Sequence, residues 1–321
     1  MVDQVDDAFI SQFIQTGNQL YNSGQYTDLV GFCNEILEVV SDEQIHAMLA
    51  RAESAIKFID DNNMTRDDIV IFPLESGITI TGYKNEYIMN TILQSKDYYE
   101  CKLLKSWFGS GVYKTVFDIG ANIGNHTLFF AANSPEAEVY AFEPMKINYK
   151  LLEKNINNNK LSSRVHLYNN AVGLLSGKAH MKTKSDNNNG TAHIVEEDDP
   201  NTETVEIIVI DELDLPVPDF IKIDTEGYEV QVLQGMRKTL EKSNAFIWIE
   251  LDTENAIEVY RLMDSLDYEV IDYHIISNNN VLFGKKTQDV YPKGYGFARL
   301  LEWARHLSDT LEKLLVTPPD I

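Results

Sequence analysis

Cysteine is almost missing from this chain: Cys33 and Cys101 are the two among 321 residues. So far apart and in no metal-ligand spacing, they exclude a disulfide framework and a zinc ribbon, and read as reduced thiols. Positive charge is scarce as well, with 27 Lys and Arg against 50 Asp and Glu and a net charge of −23. Phosphate binding needs a basic face, which sets nucleic acid and anionic membranes aside as main partners. No run approaches the ~18 uncharged apolar residues of a membrane helix. The acidic start Met1-Val-Asp-Gln-Val-Asp-Asp has no signal-peptide apolar region. The expectation is a cytoplasmic protein without a membrane span.

What is present is enough apolar material, 44% of residues, for a large domain plus a smaller one. Phe9, Phe13, Leu20 and Tyr21, then Leu29, Phe32, Ile36 and Leu37, recur at helical spacing, so residues 1–62 read as a helical region. Its segment Gly17–Tyr26 resembles the first half of a tetratricopeptide repeat, but no second copy follows. A lone unit cannot bury its own faces, which favours a helical cap over a repeat array. Residues 63–112 read as a linker, a hairpin of Ile69–Phe72 and Ile78–Thr81, and a helix from about Ser95 to Phe108. From Val116 on, strands and helices alternate, predicting an α/β fold over 113–290: a mostly parallel sheet with helices on both faces and an antiparallel edge strand. An insertion, 174–213, interrupts it with two strands around the polar segment Lys184–Asn201, a lid or a long loop. Tyr268–Tyr273 and Val281–Phe283, joined at Asn278, close the sheet. The tail 291–321 is amphipathic and suits packing on this domain or on a second copy, as in a homo-oligomer.

The chemistry concentrates in Val116-Phe-Asp-Ile-Gly-Ala-Asn-Ile-Gly-Asn-His-Thr127, a buried strand, a glycine turn and a helix start. A dinucleotide fingerprint would need a third glycine, and a P-loop would need Gly-Lys-Ser/Thr; neither is there. What remains, Asp118, Gly120, Asn122 and Gly124 followed by the acid Glu143 at the next strand tip, is the arrangement of class I (Rossmann-like) S-adenosylmethionine-dependent methyltransferases. That cofactor carries no phosphate. Its carboxylate can take backbone N–H groups at a helix start, its ammonium an acceptor such as Asp118, and its ribose diol the carboxylate of Glu143. Asn170 at the third strand tip could meet the adenine edge, with Ala171 behind the ring.

Taken in order, Phe117–Thr127, Phe142-Glu-Pro144 with Asn148 and Asn155, Asn170-Ala-Val-Gly173, Ile221-Lys-Ile-Asp-Thr-Glu-Gly-Tyr-Glu229 and Leu233-x-Gly235 resemble the FkbM family of methyltransferases, from about Glu100 to Glu250. The family's Asp-Val-Glu-Gly stands here as Asp224-Thr-Glu-Gly227. The resemblance implies an O-methyltransferase acting on hydroxyls of sugars, glycans or related natural products, and it puts Glu100 near the methionine moiety. It says nothing of the helical amino-terminal region. A non-catalytic scaffold on the same fold, using the helical region to bind a partner protein, is the alternative.

Methyl transfer to an alkyl hydroxyl needs in-line alignment and a group to take the proton. Asp224 is the first candidate for that role. Glu226 is the second, with holding backbone N–H groups of the Gly227 turn as its other reading. Glu250 shares the same rim, and His126 has a suitable ordinary pKa, though a helix-start contact explains it as well. Asp224, Glu226 and Glu250 could alternatively gather Mg²⁺, which is not favoured.

Overall fold

A computed structural model of the chain describes residues 7–22, 26–37, 42–61, 69–84, 86–109, 111–185, 188–195, 202–251, 254–274 and 279–286. The chain forms two compact units, Met1–Tyr99 and Glu100–Ile321. In the first, helices α1 (Asp7–Asn22), α2 (Tyr26–Leu37) and α3 (Glu43–Asp61) precede an antiparallel hairpin of β1 (Ile69–Pro73) and β2 (Thr79–Tyr83), then helix α4 (Tyr87–Ser95). Phe13, Leu29, Cys33, Ile45, Met48, Ala52, Ile69 and Ile71 form one core, so the hairpin packs with the helices. Phe13 lies flat on Phe32, ring centroids 3.9 Å apart.

The single helix expected over Ser95–Phe108 is interrupted. Helix α4 ends at Lys96, whose φ is +58°, and Glu100 is left-handed too, at +54°; neither fits a continuing right-handed helix. The chain restarts as α5 (Cys101–Leu103) and widens into a π turn over Leu104–Phe108.

The second unit holds strands β3 (Thr115–Ile119), β4 (Glu138–Phe142) and β5 (Val165–Tyr168), with helices α6 (Asn125–Asn133) and α7 (Lys146–Asn158) between them. A short β6 (Ala171–Val172) leads to β7 (Gly177–Ser185), β8 (Asn188–Val195) and β9 (Glu203–Ile208). The chain then returns through β10 (Phe220–Ile223), helices α8 (Glu229–Gly235) and α9 (Arg237–Lys242), β11 (Phe246–Glu250), α10 (Ala256–Ser265), β12 (Tyr268–His274) and β13 (Asn280–Lys285). The main sheet runs β12-β13-β11-β10-β3-β4-β5. Its five strands from β11 to β5 are parallel, and β13 is antiparallel to both neighbours. The fold is thus an α/β class I methyltransferase sheet. The antiparallel strand sits one place in from the edge: the α10 crossover lays β12 parallel to β11 with a gap between, and β13 fills the gap.

Helices α8 and α9 are separate, parted at Met236, and the Gly173 backbone passes so close that a Cβ on Gly235 would lie 2.0 Å from its carbonyl oxygen. One further expectation changes. The polar segment Lys184–Asn201 contains a strand, β8, and the insertion forms a second sheet of order β6-β9-β7-β8. Polar composition hid a strand whose Ile194 pairs with Met181 of β7. The Asn278 turn and the tail 291–321 lie outside the described residues.

On one face of the main sheet Phe117, Ile119, Ile221, Ile223, Ile247 and Ile249 pack with Val232, Leu233, Met236, Val259 and Met263 into one core, each such burial being worth ~1.5–3 kcal/mol. On the other face the register places Asp118, Lys222 and Trp248 side by side. Charges in the middle of a buried sheet need partners, and those partners lie at the strand tips.

Candidate active site

The glycine turn is shaped by contact with β10. Gly120 has φ +86°, and a Cβ there would come 1.7 Å from the Asp224 carbonyl oxygen. Asn122, left-handed at φ +51°, turns its N–H onto Glu143 Oε2 at 2.8 Å. Glu143 Oε1 takes the Met145 N–H at 2.9 Å. Burial pushes the Glu143 carboxyl up to about 7, against the pull of those two N–H groups and the Asn148 side chain. Two asparagines absent from the expected site fix this corner. Asn155 Nδ2 donates to the Ile123 carbonyl at 2.8 Å, and Asn169 Nδ2 donates to the carbonyls of Glu143 and Pro144 at 2.9 and 3.0 Å. Asn155 lies in a noted motif, whereas Asn169 had no signal beyond standing beside Asn170.

A cleft with about 600 Å³ of empty space opens across the tips of β10, β3, β4 and β5. Gly120, Asn122, Glu143, Asn170, Ala171, Asp224 and Glu226 all line it, so the structure brings these seven expected residues together. Asn148, Thr225 and Tyr228 join them, as do Met181 and Ile194 from the second sheet. Glu226 has φ +53°, an uncommon backbone for a non-glycine residue, of the kind that concentrates at functional sites. Buried Glu229 holds the Gly227 turn, accepting from the Gly227 N–H at 2.9 Å and Thr225 Oγ1 at 3.0 Å, while Asn255 Nδ2 donates to the Gly227 carbonyl at 2.8 Å.

The other expected residues stand off this wall, in a polar network that reaches it through Lys222. Lys222 is 1% exposed and its Nζ meets Asp224 Oδ2 at 2.8 Å. Burial draws its ammonium pKa down, but the Asp224 and Asp118 carboxylates outweigh that and hold it above the usual lysine value. Asp118 is fully buried, accepts from Thr127 Oγ1 and does not line the cleft, so it serves the helix start and Lys222 rather than a cofactor ammonium. Gly124 also lies off the wall; it caps α6 with φ +91°.

His126 Nε2 lies 3.1 Å from Glu100 Oε2, its ring set edge-on to Trp248. Burial, helped by the Lys222 charge, lowers the His126 pKa to about 3, leaving a neutral imidazole tied to Glu100 and a poor base. Glu100 Oε1 accepts from Asn280 Nδ2 at 3.0 Å, whose Oδ1 takes the Trp248 indole N–H. Glu100 is therefore held within the network, away from the cleft wall. At the tip of β11, burial and then the Asp224 and Glu100 carboxylates push Glu250 up to about 9, so it is a neutral acid at pH 7. Sequence reasoning missed Trp248 and Asn280, whose partners are remote in the chain, and Lys222, which only the strand register sets beside Asp118. Among the described residues no three His, Cys, Asp or Glu side chains form a group able to hold a metal ion, and Asp224, Glu226 and Glu250 do not gather as one.

Residues 118–270 match the methyltransferase FkbM domain. The glycine turn, Glu143, Asn170 and the Asp224–Gly227 turn all fall within that domain. Hexuronic acid methyltransferase AglP from Haloferax volcanii is 30% identical over 137 residues, 42% of this chain and 55% of that protein. The chain thus spans about half the length of this curated relative. Among solved structures, methyltransferase FkbM from Methylobacillus flagellatus KT is 20% identical with TM-score 0.42, over 56% of this chain and 47% of that one. Precorrin-6y C5,15-methyltransferase from Geobacter metallireducens GS-15 is 14% identical with TM-score 0.40, over 58% and 89%. No helix among the described residues is long and apolar enough to cross a membrane.

The donor set suits S-adenosylmethionine. Three carboxylates, Glu143, Asp224 and Glu226, line the cleft, and among the described residues no lysine or arginine does. A pyrophosphate would be repelled there, and a sulfonium with an ammonium would be favoured.

Proposed function

We propose that this chain is an S-adenosylmethionine-dependent O-methyltransferase acting on a hydroxyl of a sugar, glycan or related natural product. One observation carries the reading: a cleft across four strand tips, with carboxylates and, among the described residues, no basic side chain on its wall. The similarity to a hexuronic acid methyltransferase favours a carbohydrate acceptor.

When bound, the cofactor supplies an electrophilic methyl group on a positive sulfur. The chain's part is to hold and align. Glu143 is suited to accept from a ribose diol, because two backbone N–H groups fix its carboxyl in place. Asp224 stands at the tip of β10 beside the glycine turn, one carboxylate oxygen tethered by Lys222. From there it receives the acceptor hydroxyl, orients its lone pair toward the methyl group and draws off its proton as the new bond forms. Glu226 lines the same wall and takes the second place.

Transfer of labelled methyl from S-adenosylmethionine to a panel of neutral glycosides, hexuronic acids and glycans tests the proposal. Methylation of a hydroxyl in at least one member is the expected result. Asp224→Asn, assayed at saturating S-adenosylmethionine, should then lose at least ~100-fold in turnover. Wild-type turnover by that variant removes Asp224 from the role.

A further inference from the structure

The β7–β8 hairpin of the second sheet has no part in the site as read so far, yet one residue from each of its strands lines the cleft. Met181 of β7 and Ile194 of β8 are direct cross-strand partners, so their side chains share one face of that sheet. That face is apolar: Met181, Ala179 and Val205 are buried against Met145 and Ala171, with Ile194 and Ile207 packed alongside. The sheet is also tied to the turn that positions Glu143. Glu203 of β9, the register partner of Met181, accepts the Lys146 N–H at 3.1 Å, at the first residue of α7.

Strand order gives the cleft a ruler. From β10 through β3 and β4 to β5 there are three steps of about 4.8 Å, roughly 14 Å in all. Asp224 and Glu226 stand at one end, Glu143 between, and Asn170 and Ala171 at the other. The first end is acidic and suits the charged sulfonium and amino acid portion. The far end pairs the apolar Ala171, Val172, Met181 and Ile194 with the polar side chains of Asn148 and Asn170, which suits a flat, neutral base with hydrogen-bonding edges. A thioether against a π face is a favourable contact.

We propose that the inserted β7–β8 hairpin, through Met181 and Ile194, closes the adenine end of the cleft and is a determinant of cofactor affinity. This rests on the methyltransferase reading above. The wall comes from a part of the chain that contributes nothing to the glycine turn or the acidic strand tips.

Titration calorimetry on the full chain tests it with two probes, S-adenosylhomocysteine and 5′-methylthioadenosine, which share the adenosine and differ in the amino acid portion. Met181→Ala and Ile194→Ala should each raise Kd for both probes about tenfold, by the same factor for each, while Met181→Leu stays near wild type. Ile194 is half-buried, so its truncation reports even where the Met181 variant loses thermal stability. Unchanged affinity for S-adenosylhomocysteine in Ile194→Ala overturns the proposal. So does weakening confined to S-adenosylhomocysteine, which would put the contact at the amino acid end. A wild-type chain that binds neither probe is a different failure, that of the methyltransferase reading itself.

Discussion

Glu250 and Gly120 carry the sharpest consequences at the scale of single residues. An unfolded Glu250 would titrate near 4.5, and the folded one titrates near 9. Between those pH values the folded state keeps a proton that the unfolded state has released, so this residue's contribution to stability is lost as pH rises from 4.5 toward 9. Glu250→Gln removes that dependence. The variant should melt above wild type at pH 8, with Tm rising about 2–4 °C per kcal/mol recovered, and the gap should close at pH 5; thermal melts across that range check it. Gly120→Ala would drive a methyl group into the Asp224 carbonyl at 1.7 Å with φ in the left-handed region. Urea melts should show a loss of about 3 kcal/mol or more, with S-adenosylhomocysteine binding lost as well. That Gly120, Glu143, Asn170 and Asp224 share one cleft was legible in the sequence, because the tips of successive parallel strands face one crevice. The places of Asn280 and Met181 were not, since each acquires its meaning from a partner that only the fold brings near, and Lys222, two residues from Asp224, meets Asp118 only through the register of β10 on β3. His126 misled for the same reason: its ordinary pKa suggested a base, and burial beside Lys222 takes that away.

Among the elements, the turn from β4 into α7 ties sheet to site. Asn169, just after β5, braces it through two carbonyls. Asn169→Ala should cost about 1–2 kcal/mol in stability and weaken S-adenosylhomocysteine about tenfold, measured by calorimetry, because Glu143 loses its fixed orientation. The Glu143 carboxyl, raised to about 7, makes the same binding pH-dependent. The ionised form accepts two hydroxyls where the protonated form accepts fewer, so affinity should rise from pH 6 to pH 8, and Glu143→Gln should flatten the curve. Strands and helices from β3 to β5 were legible to within a residue or two, because buried parallel strands read as short apolar runs between helical periods. The second sheet was not. Its β8 carries so many Asn, Thr and His residues that the pattern reads as a loop, and only pairing with β7 supplies the apolar side.

For the whole molecule, the net charge of −23 is a standing self-repulsion that compactness must overcome. Raising ionic strength from about 0.01 M to 0.15 M shortens the screening length from roughly 30 to 8 Å, and Tm should climb with it. The same excess of acid extends into the cleft, and the proposed function has it select against phosphate-bearing cofactors. That selection is the central claim, and titration calorimetry of the intact chain with S-adenosylmethionine, NAD and ATP tests it directly. The account predicts one saturable site per chain for S-adenosylmethionine and no measurable heat from the two phosphate-bearing molecules; saturable NAD binding, or no site for S-adenosylmethionine, would contradict it.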